Sequence, residues 1–134
     1  MNKEILKVLK EKIVEGRINI AKQIKEEIES YKNEFGKGMF LYEEDYDPMK
    51  RDIGIDLVLV NDVVLLISTV DIGYNSAMGL SRYETMVFIE GESEEEAKLP
   101  SSVKELLNRI IPYSSRKEAE EGHKNIVSIL NDLR

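Results

Sequence analysis

The sequence predicts an α+β fold in which a long N-terminal helix packs on a small antiparallel β-meander that is followed by C-terminal helices. Three observations predict it: helical spacing of apolar residues over 3–35, two β-branched runs around a short turn over 53–70, and renewed helical spacing after residue 101. The 134 residues are expected to form a single domain over 1–134, with the helix at 1–36, the meander at 39–90 and the C-terminal helices at 101–134.

The N-terminal helix carries two apolar stripes, and Asn2 and Gly36 are suitable residues to cap its start and end. The first stripe contains Leu6, Leu9, Ile13, Ile20, Ile24, Ile28, Tyr31 and Phe35, and the second contains Ile5, Val8, Val14, Ile18 and Ala21. A straight helix of this length spans about 50 Å, whereas the whole globule should measure only about 36 Å. We therefore expect the helix either to bend near Gly16 or to project. A dimer or higher oligomer is favoured over a monomer whose helix folds across its own sheet.

Three strands are expected in the meander. Residues 53–60 and 63–70 are rich in Val, Ile and Leu, and Asn61-Asp62 between them predicts a tight hairpin. The third strand runs over Arg82–Glu90, after a ten-residue loop at 71–80. Its inward set is Tyr83, Thr85, Val87 and Ile89, and its opposite face, with Met86 and Phe88, should be partly covered. Residues 39–42 form a short extended stretch, and 43–48 and 91–98 are acidic loops.

Two helix-start signals follow these strands. Ser102 and Glu105 form a capping box that opens a short helix to Ile111, which Pro112 ends. Ser115 and Glu118 repeat the signal before a final amphipathic helix.

Composition excludes several classes of function. The chain has no Cys, which excludes disulfides and Cys-based zinc sites and fits the cytoplasm. No signal peptide is expected, because charged residues interrupt the apolar ones over the first 15 residues, and no apolar run approaches the length of a membrane span. The net charge of −7 argues against binding DNA or RNA, because such binding needs a basic face.

No residue set predicts catalysis, so the chain is not expected to be an enzyme. His123, the only histidine, lies on the apolar face of the last helix, where a hydrogen-bonded structural role is the expected one. Asp45 and Asp47 lie in an acidic loop that lacks the glycine bend and downstream Glu of an EF-hand. Glycine-rich phosphate-binding loops are absent too, and neither a cofactor nor a metal is expected.

The loop over 71–80 is the best candidate for a binding site, because long ordered loops in small domains are often functional. A plain crossover loop is the alternative. If the loop binds a small anionic, nucleotide-like ligand, an aromatic ring would stack on its base, polar groups would bond it and arginines would hold its phosphates. The predicted ligand-binding residues are Tyr74, Asn75, Ser76, Arg82, Tyr83, Arg109 and Arg116.

Three blocks of sequence resemble a widespread family of small proteins from phages and prophages. They are ISTVDIG over 67–73, YETMVF over 83–88 and EAEEGH over 118–123. Asp71 stands where the family usually has an aromatic residue, and Tyr74-Asn75 replace its usual Asp-His pair. The architecture looks like that of the phage anti-Thoeris sponge proteins. This resemblance implies a non-enzymatic oligomer that sequesters a cyclic nucleotide immune signal, such as a cyclic ADP-ribose variant, between subunits.

Three hypotheses about function follow from these observations. The first is a ligand-sequestering phage or prophage protein, supported by the resemblance and by the lack of catalytic groups. The second is an acidic module that binds and inhibits a bacterial partner protein, supported by the net charge. The third is an enzyme that uses His123 with a nearby carboxylate for acid–base work.

Overall fold

The computed structural model describes residues 3–35, 42–74, 81–107 and 109–133. The helices are α1 (Lys3–Phe35), α2 (Ser101–Lys104) and α3 (Arg116–Asp132), and the strands are β1 (Asp52–Val60), β2 (Val63–Asp71), β3 (Tyr83–Ile89) and β4 (Ile111–Tyr113). Short 3-10 helices cover Pro48–Lys50 and Ser93–Lys98. The predicted α+β arrangement, with its long N-terminal helix and antiparallel sheet, is confirmed. Within the described ranges, no helix has the length and apolar character that crossing a bilayer requires.

The strands form one antiparallel sheet in the order β1-β2-β3-β4. The predicted hairpin joins β1 to β2, with Val60 paired to Val63. Asn61 and Asp62 both have positive φ, 49° and 64°, as a two-residue type I′ turn requires. Asn and Asp tolerate this left-handed conformation better than most residues, so the turn and the register of the hairpin follow from these two residues.

The core lies between α3 and one face of the sheet. It consists of Val58, Val60, Val63, Leu65, Ile67, Val87, Leu99, Val103 and Leu130. Thr85 and Val87 are fully buried on this face, as predicted, whereas Met86 and Phe88 are half-buried on the other. Every residue of β2 is buried, so the sheet is covered on both faces along its second strand.

Helix α1 lies over the opposite face and is continuous through Gly16. None of its residues belongs to the core cluster, and among residues 3–34 only Ala21 is buried. Two ion pairs hold α1 to β1: Lys10 Nζ lies 3.0 Å from Asp56 Oδ1, and Arg17 Nη1 lies 3.2 Å from Asp52 Oδ1. Most described members of the two predicted apolar stripes are half-buried or buried, whereas Ile5, Val8, Ile18, Ile20 and Tyr31 are between 44% and 49% exposed.

The region before α3 differs from the prediction. Helix α2 ends at Lys104, well before Ile111, and Ile111–Tyr113 form the edge strand β4 on β3. Pro112 is tolerated there because an edge strand leaves some backbone N–H groups unpaired. The predicted loop over 91–98 contains a 3-10 helix, and Ser102 lies inside α2 while Pro100 is its N-cap. The second start signal is confirmed, since Ser115 Oγ accepts a hydrogen bond from the backbone N–H of Glu118.

Candidate functional site

A chain of hydrogen-bonded side chains crosses the α3 face of the sheet and reaches α1. Thr85 bonds Thr69, whose Oγ1 lies 2.7 Å from His123 Nδ1. His123 Nε2 lies 2.7 Å from Asp56 Oδ2, and Lys10 bonds the other oxygen of that carboxylate. The two threonines are 0% exposed and His123 is 5% exposed. His123 therefore has the hydrogen-bonded structural place expected from the sequence.

The charge on Asp56 determines which atom donates in each of these side-chain hydrogen bonds. Burial acts to raise the pKa of Asp56, but hydrogen bonds from His123 and Lys10 outweigh burial and hold it below its ordinary value. The group is a carboxylate at neutral pH and only accepts, so His123 Nε2 carries a proton and donates it. In the neutral ring Nδ1 accepts from Thr69, which leaves Thr69 to accept from Thr85. Both ring nitrogens are therefore engaged.

Arg82, a predicted phosphate ligand, is already held by two carboxylates. Its Nε and Nη2 donate to the two oxygens of Asp71 at 2.7 and 2.9 Å, and its Nη1 donates to Asp45 Oδ1 at 2.8 Å. The hydrogen bonds to Asp71 raise the pKa of Arg82 further. Two negative charges thus surround one positive charge, and an anion would have to displace a carboxylate to bind here.

Aromatic rings surround this cluster. The Tyr42 and Tyr46 rings stack at 5.1 Å, and the Tyr74 ring lies edge-on to Tyr42 at 5.7 Å. The guanidinium carbon of Arg82 lies 5.9 Å from the Tyr46 ring and 5.4 Å from the Tyr83 ring. The structure therefore brings three predicted ligand residues, Tyr74, Arg82 and Tyr83, into one region.

The other predicted ligand residues do not join that region. Asn75 and Ser76 lie outside the described residues. Arg116 Nη1 donates to the carbonyl oxygen of Lys50 at 3.1 Å. Arg109 is exposed and lies between Leu107, which pairs with Val87, and Ile111, which pairs with Thr85. Arg82 lies just before the start of β3, and Arg109 lies toward its other end.

A groove on the α1 face of the sheet is the better candidate site. It has a volume of about 350 Å³ and opens between α1 and β3. Its lining residues are Arg17, Ile20, Arg51, Ser68, Val70, Glu84, Met86 and Phe88. The apolar body of the groove continues onto α1 through Ile20, which is 44% exposed. The groove therefore combines an apolar floor with arginine side chains from two different elements.

Two charged side chains in this groove, those of Arg51 and Glu84, make no hydrogen bond in the described part of the chain. The Arg51 side chain is only 22% exposed, and its nearest carboxylate is Asp52, at 4.0 Å. Asp52 is shared, because Arg17 Nη1 lies closer to the same oxygen, at 3.2 Å. Glu84 is half-buried, and burial raises its pKa while the nearby charge of Arg51 opposes the rise. The polar side-chain atoms of both residues remain accessible to solvent, and no described residue engages them by a hydrogen bond, so these two groups mark the groove as a candidate ligand site.

Two further clefts are weaker candidates for a binding site. One, of about 330 Å³, lies beside Asp56 and His123, and the other, of about 350 Å³, lies beside Arg82 and Tyr113. The charged groups Asp56 and Arg82 at these clefts are already hydrogen-bonded. Within the described ranges, no three His, Asp or Glu side chains are placed to hold a metal ion.

Sequence reasoning missed the groove because its parts are far apart in the chain. Arg17 lies in α1, Arg51 lies just before β1, and Glu84 lies in β3. Met86 and Phe88 were recognised as facing a partly covered surface, which was the available signal. In the sheet, Val70 of β2 pairs with Asp52 on one side and with Glu84 on the other. This pairing brings Arg51 and Glu84 close together, and the sequence alone does not reveal it. The chain matches no protein-family model, and neither a curated protein nor a solved structure is significantly similar to it.

Proposed function

We propose that this protein is a non-enzymatic binding protein that sequesters a small nucleotide-derived anion, of the cyclic ADP-ribose class, in the groove between α1 and the sheet. The observation that carries the proposal is Arg51, a mostly buried guanidinium without a hydrogen bond among the described residues. A guanidinium offers five N–H donors in a planar fork that matches two phosphate oxygens. Binding a phosphate there satisfies donors that the fold itself leaves open.

The rest of the groove supports the same class of ligand. Its volume of about 350 Å³ lies within the usual range for small-molecule sites, roughly 300 to 1,000 Å³. Phe88 and Met86 present half-buried apolar surface, on which a nucleobase can stack. The net charge of −7 does not prevent this binding, because the two groove arginines act locally.

We propose a non-enzymatic role because of the hydrogen bonds that His123 makes. Both of its ring nitrogens are hydrogen-bonded, and Thr69, which has the geometry of a nucleophile beside a base, is 0% exposed. A substrate therefore has no direct approach to this threonine. The arrangement is better suited to fixing α3 and α1 on the sheet than to reacting.

The proposal includes self-association through α1. The chain exposes 8666 Å², whereas a compact monomer of this size exposes about 7,200 Å². The surplus, about 1,500 Å², exceeds the roughly 800 Å² that each partner buries in a typical stable complex. On α1, Ile5, Ile20 and Tyr31 are exposed, and Ile20 also lines the groove. A second copy over α1 would cover these residues and close the groove.

A second candidate function is an acidic module that inhibits a partner protein. It is favoured by the exposed carboxylates of Glu43, Glu44 and Asp45, which follow one another at the end of the sheet near Arg82. A basic surface on a partner would complement this segment. Reversal of all three charges would abolish capture of such a partner but leave ligand binding in the groove unchanged.

Thermal unfolding with cyclic ADP-ribose, cyclic dinucleotides and pyrophosphate tests the ligand proposal. A ligand at a hundred times its Kd stabilises the folded state by about 2.7 kcal/mol, which raises the Tm by roughly 5 to 15 °C at this chain length. We expect at least one nucleotide to raise the Tm of the wild type. If every compound leaves the Tm unchanged, the proposed function is wrong.

Light scattering after size-exclusion chromatography tests self-association. The wild type is expected to run as an oligomer, and the double substitution Ile5→Glu and Val8→Glu is expected to yield a monomer. Lys7→Glu on the same helix is the control, because it changes charge at an exposed polar position. A wild-type protein that stays monomeric over a wide range of concentration contradicts this part of the proposal.

A further inference from the structure

Glu84 is the feature of the groove that an anion-binding site does not need. It lies on β3, on the same face as Met86 and Phe88, and it is half-buried. It shares the groove with Arg51, whose charge it feels, but no hydrogen bond joins the two side chains. A carboxylate at this place repels a simple anion, so a groove that only held phosphate would be better without it.

The two groups together define a pattern of acceptors and donors. A carboxylate only accepts hydrogen bonds, and a guanidinium only donates them. A ligand between Arg51 and Glu84 must therefore offer acceptor oxygens on one side and N–H or O–H donors on the other. The hydroxyl groups of a ribose and the amino group of a nucleobase supply such donors, and carboxylates are known to bind ribose hydroxyls in nucleotide sites.

We propose that Glu84 is the specificity-determining residue of the groove, and that it selects anions carrying hydrogen-bond donors over anions without them. This inference rests on the proposed function, since it names the ligand class of the same groove. The ligand places its phosphate on Arg51 and donates to Glu84. A donor-free anion loses that bond and also meets the uncompensated carboxylate.

Calorimetric titration with two probes tests the inference. Cyclic ADP-ribose carries phosphates, ribose hydroxyls and an adenine, whereas naphthalene-1,5-disulfonate carries two negative charges on an aromatic body and has no donor. Each probe is titrated into the wild type, Glu84→Gln and Glu90→Gln. Glu90→Gln is the matched control, because it removes the same charge from an exposed position just after β3.

We expect Glu84→Gln to weaken cyclic ADP-ribose about tenfold, since a hydrogen bond to a charged group is lost. The same substitution should tighten naphthalene-1,5-disulfonate, because a like charge is removed. Glu90→Gln should change neither affinity by more than about twofold. If Glu84→Gln tightens both probes, Glu84 only repels anions and the inference is wrong while the proposed function stands. If neither probe binds the wild type, the inference is overturned, and the thermal unfolding series decides the proposed function separately.

Discussion

The two faces of the sheet differ in how their charged and polar groups are satisfied. On the α3 face, side chains from β1, β2, β3 and α3 join one hydrogen-bonded chain, and its buried members all have partners. On the α1 face, Arg51 and Glu84 share a groove without a hydrogen bond in the described part of the chain. The side-chain donors and acceptors of Arg51 and Glu84 are open to solvent, whereas both ring nitrogens of His123 are already engaged. We therefore assign the hydrogen bonds of the α3 face to stability and propose the α1 face as the binding face.

The largest effect should come from breaking the chain on the α3 face. His123→Ala removes a buried ring and leaves Thr69 and Asp56 without their partner, which should lower the free energy of unfolding by about 3 kcal/mol. Urea denaturation measures this change. Lys124→Ala, at the exposed next position, is the control and should stay within about 0.5 kcal/mol of the wild type. Equal effects at the two positions would show that the hydrogen bonds of His123 contribute nothing to stability.

Two glycines give a matched pair across the two faces. A Cβ added at Gly54 would lie 2.5 Å from the His123 ring, whereas one added at Gly16 in α1 would meet nothing within 4 Å. Gly54→Ala should therefore cost about 2 kcal/mol by overpacking, and Gly16→Ala should add up to about 1 kcal/mol through helix propensity. Opposite shifts in Tm are expected. A loss at Gly16 as large as the loss at Gly54 would contradict this difference between the two positions.

Arg51→Ala should hardly change stability, in contrast with His123→Ala. The side chain has no hydrogen bond to lose, and its ion pair with Asp52 is loose, so we expect a change below about 0.5 kcal/mol. Urea denaturation of the variant without ligand measures it. A loss of stability comparable to that of His123→Ala would place Arg51 among the residues that stabilise the fold. The main argument for the groove as the binding site would then fail.

The smallest effect is a difference in pH dependence between two carboxylates. The folded pKa of Asp56 is lowered, so its contribution to stability is full above its ordinary pKa of 3.8 and is lost as the pH falls through the lower folded value. The folded pKa of Glu84 is raised by burial, so its charge is destabilising at neutral pH and this penalty disappears on acidification toward its ordinary pKa of 4.5.

Unfolding free energies measured from neutral pH to about pH 3 separate the two contributions. Relative to wild type, Asp56→Asn should be less stable at neutral pH and lose less on acidification. Glu84→Gln should be slightly more stable at neutral pH, and its advantage should shrink as the pH falls. If the two variants behave alike, the difference between the faces is not electrostatic.

Much of the fold could be predicted because its signals are local. The hairpin follows from Asn61-Asp62 between two β-branched runs, and the start of α3 follows from Ser115 and Glu118. Strand β4 could not be predicted, because three residues around Pro112 resemble a helix end, and only pairing with β3 makes them a strand. Local patterns carry no information about which distant strand offers an edge.

The candidate site was harder to predict for the same reason. Arg82 is close to the expected loop in sequence, but Asp71 and Asp45 occupy its guanidinium, and Asp45 comes from a distant segment. Arg51 and Glu84 become neighbours only through the register of β1, β2 and β3. A sequence shows that an arginine exists, whereas the fold decides whether a carboxylate already holds it.

The measurement that tests the central claim most directly is calorimetric titration of cyclic ADP-ribose into the wild type, Arg51→Ala and Arg109→Ala. Arg51 lines the groove, and Arg109 is an exposed arginine outside it. We predict that the wild type and Arg109→Ala bind with similar Kd, and that Arg51→Ala binds at least tenfold more weakly, because charge-assisted bonds to phosphate are lost. Undiminished binding by Arg51→Ala would contradict the assignment of the site to the groove.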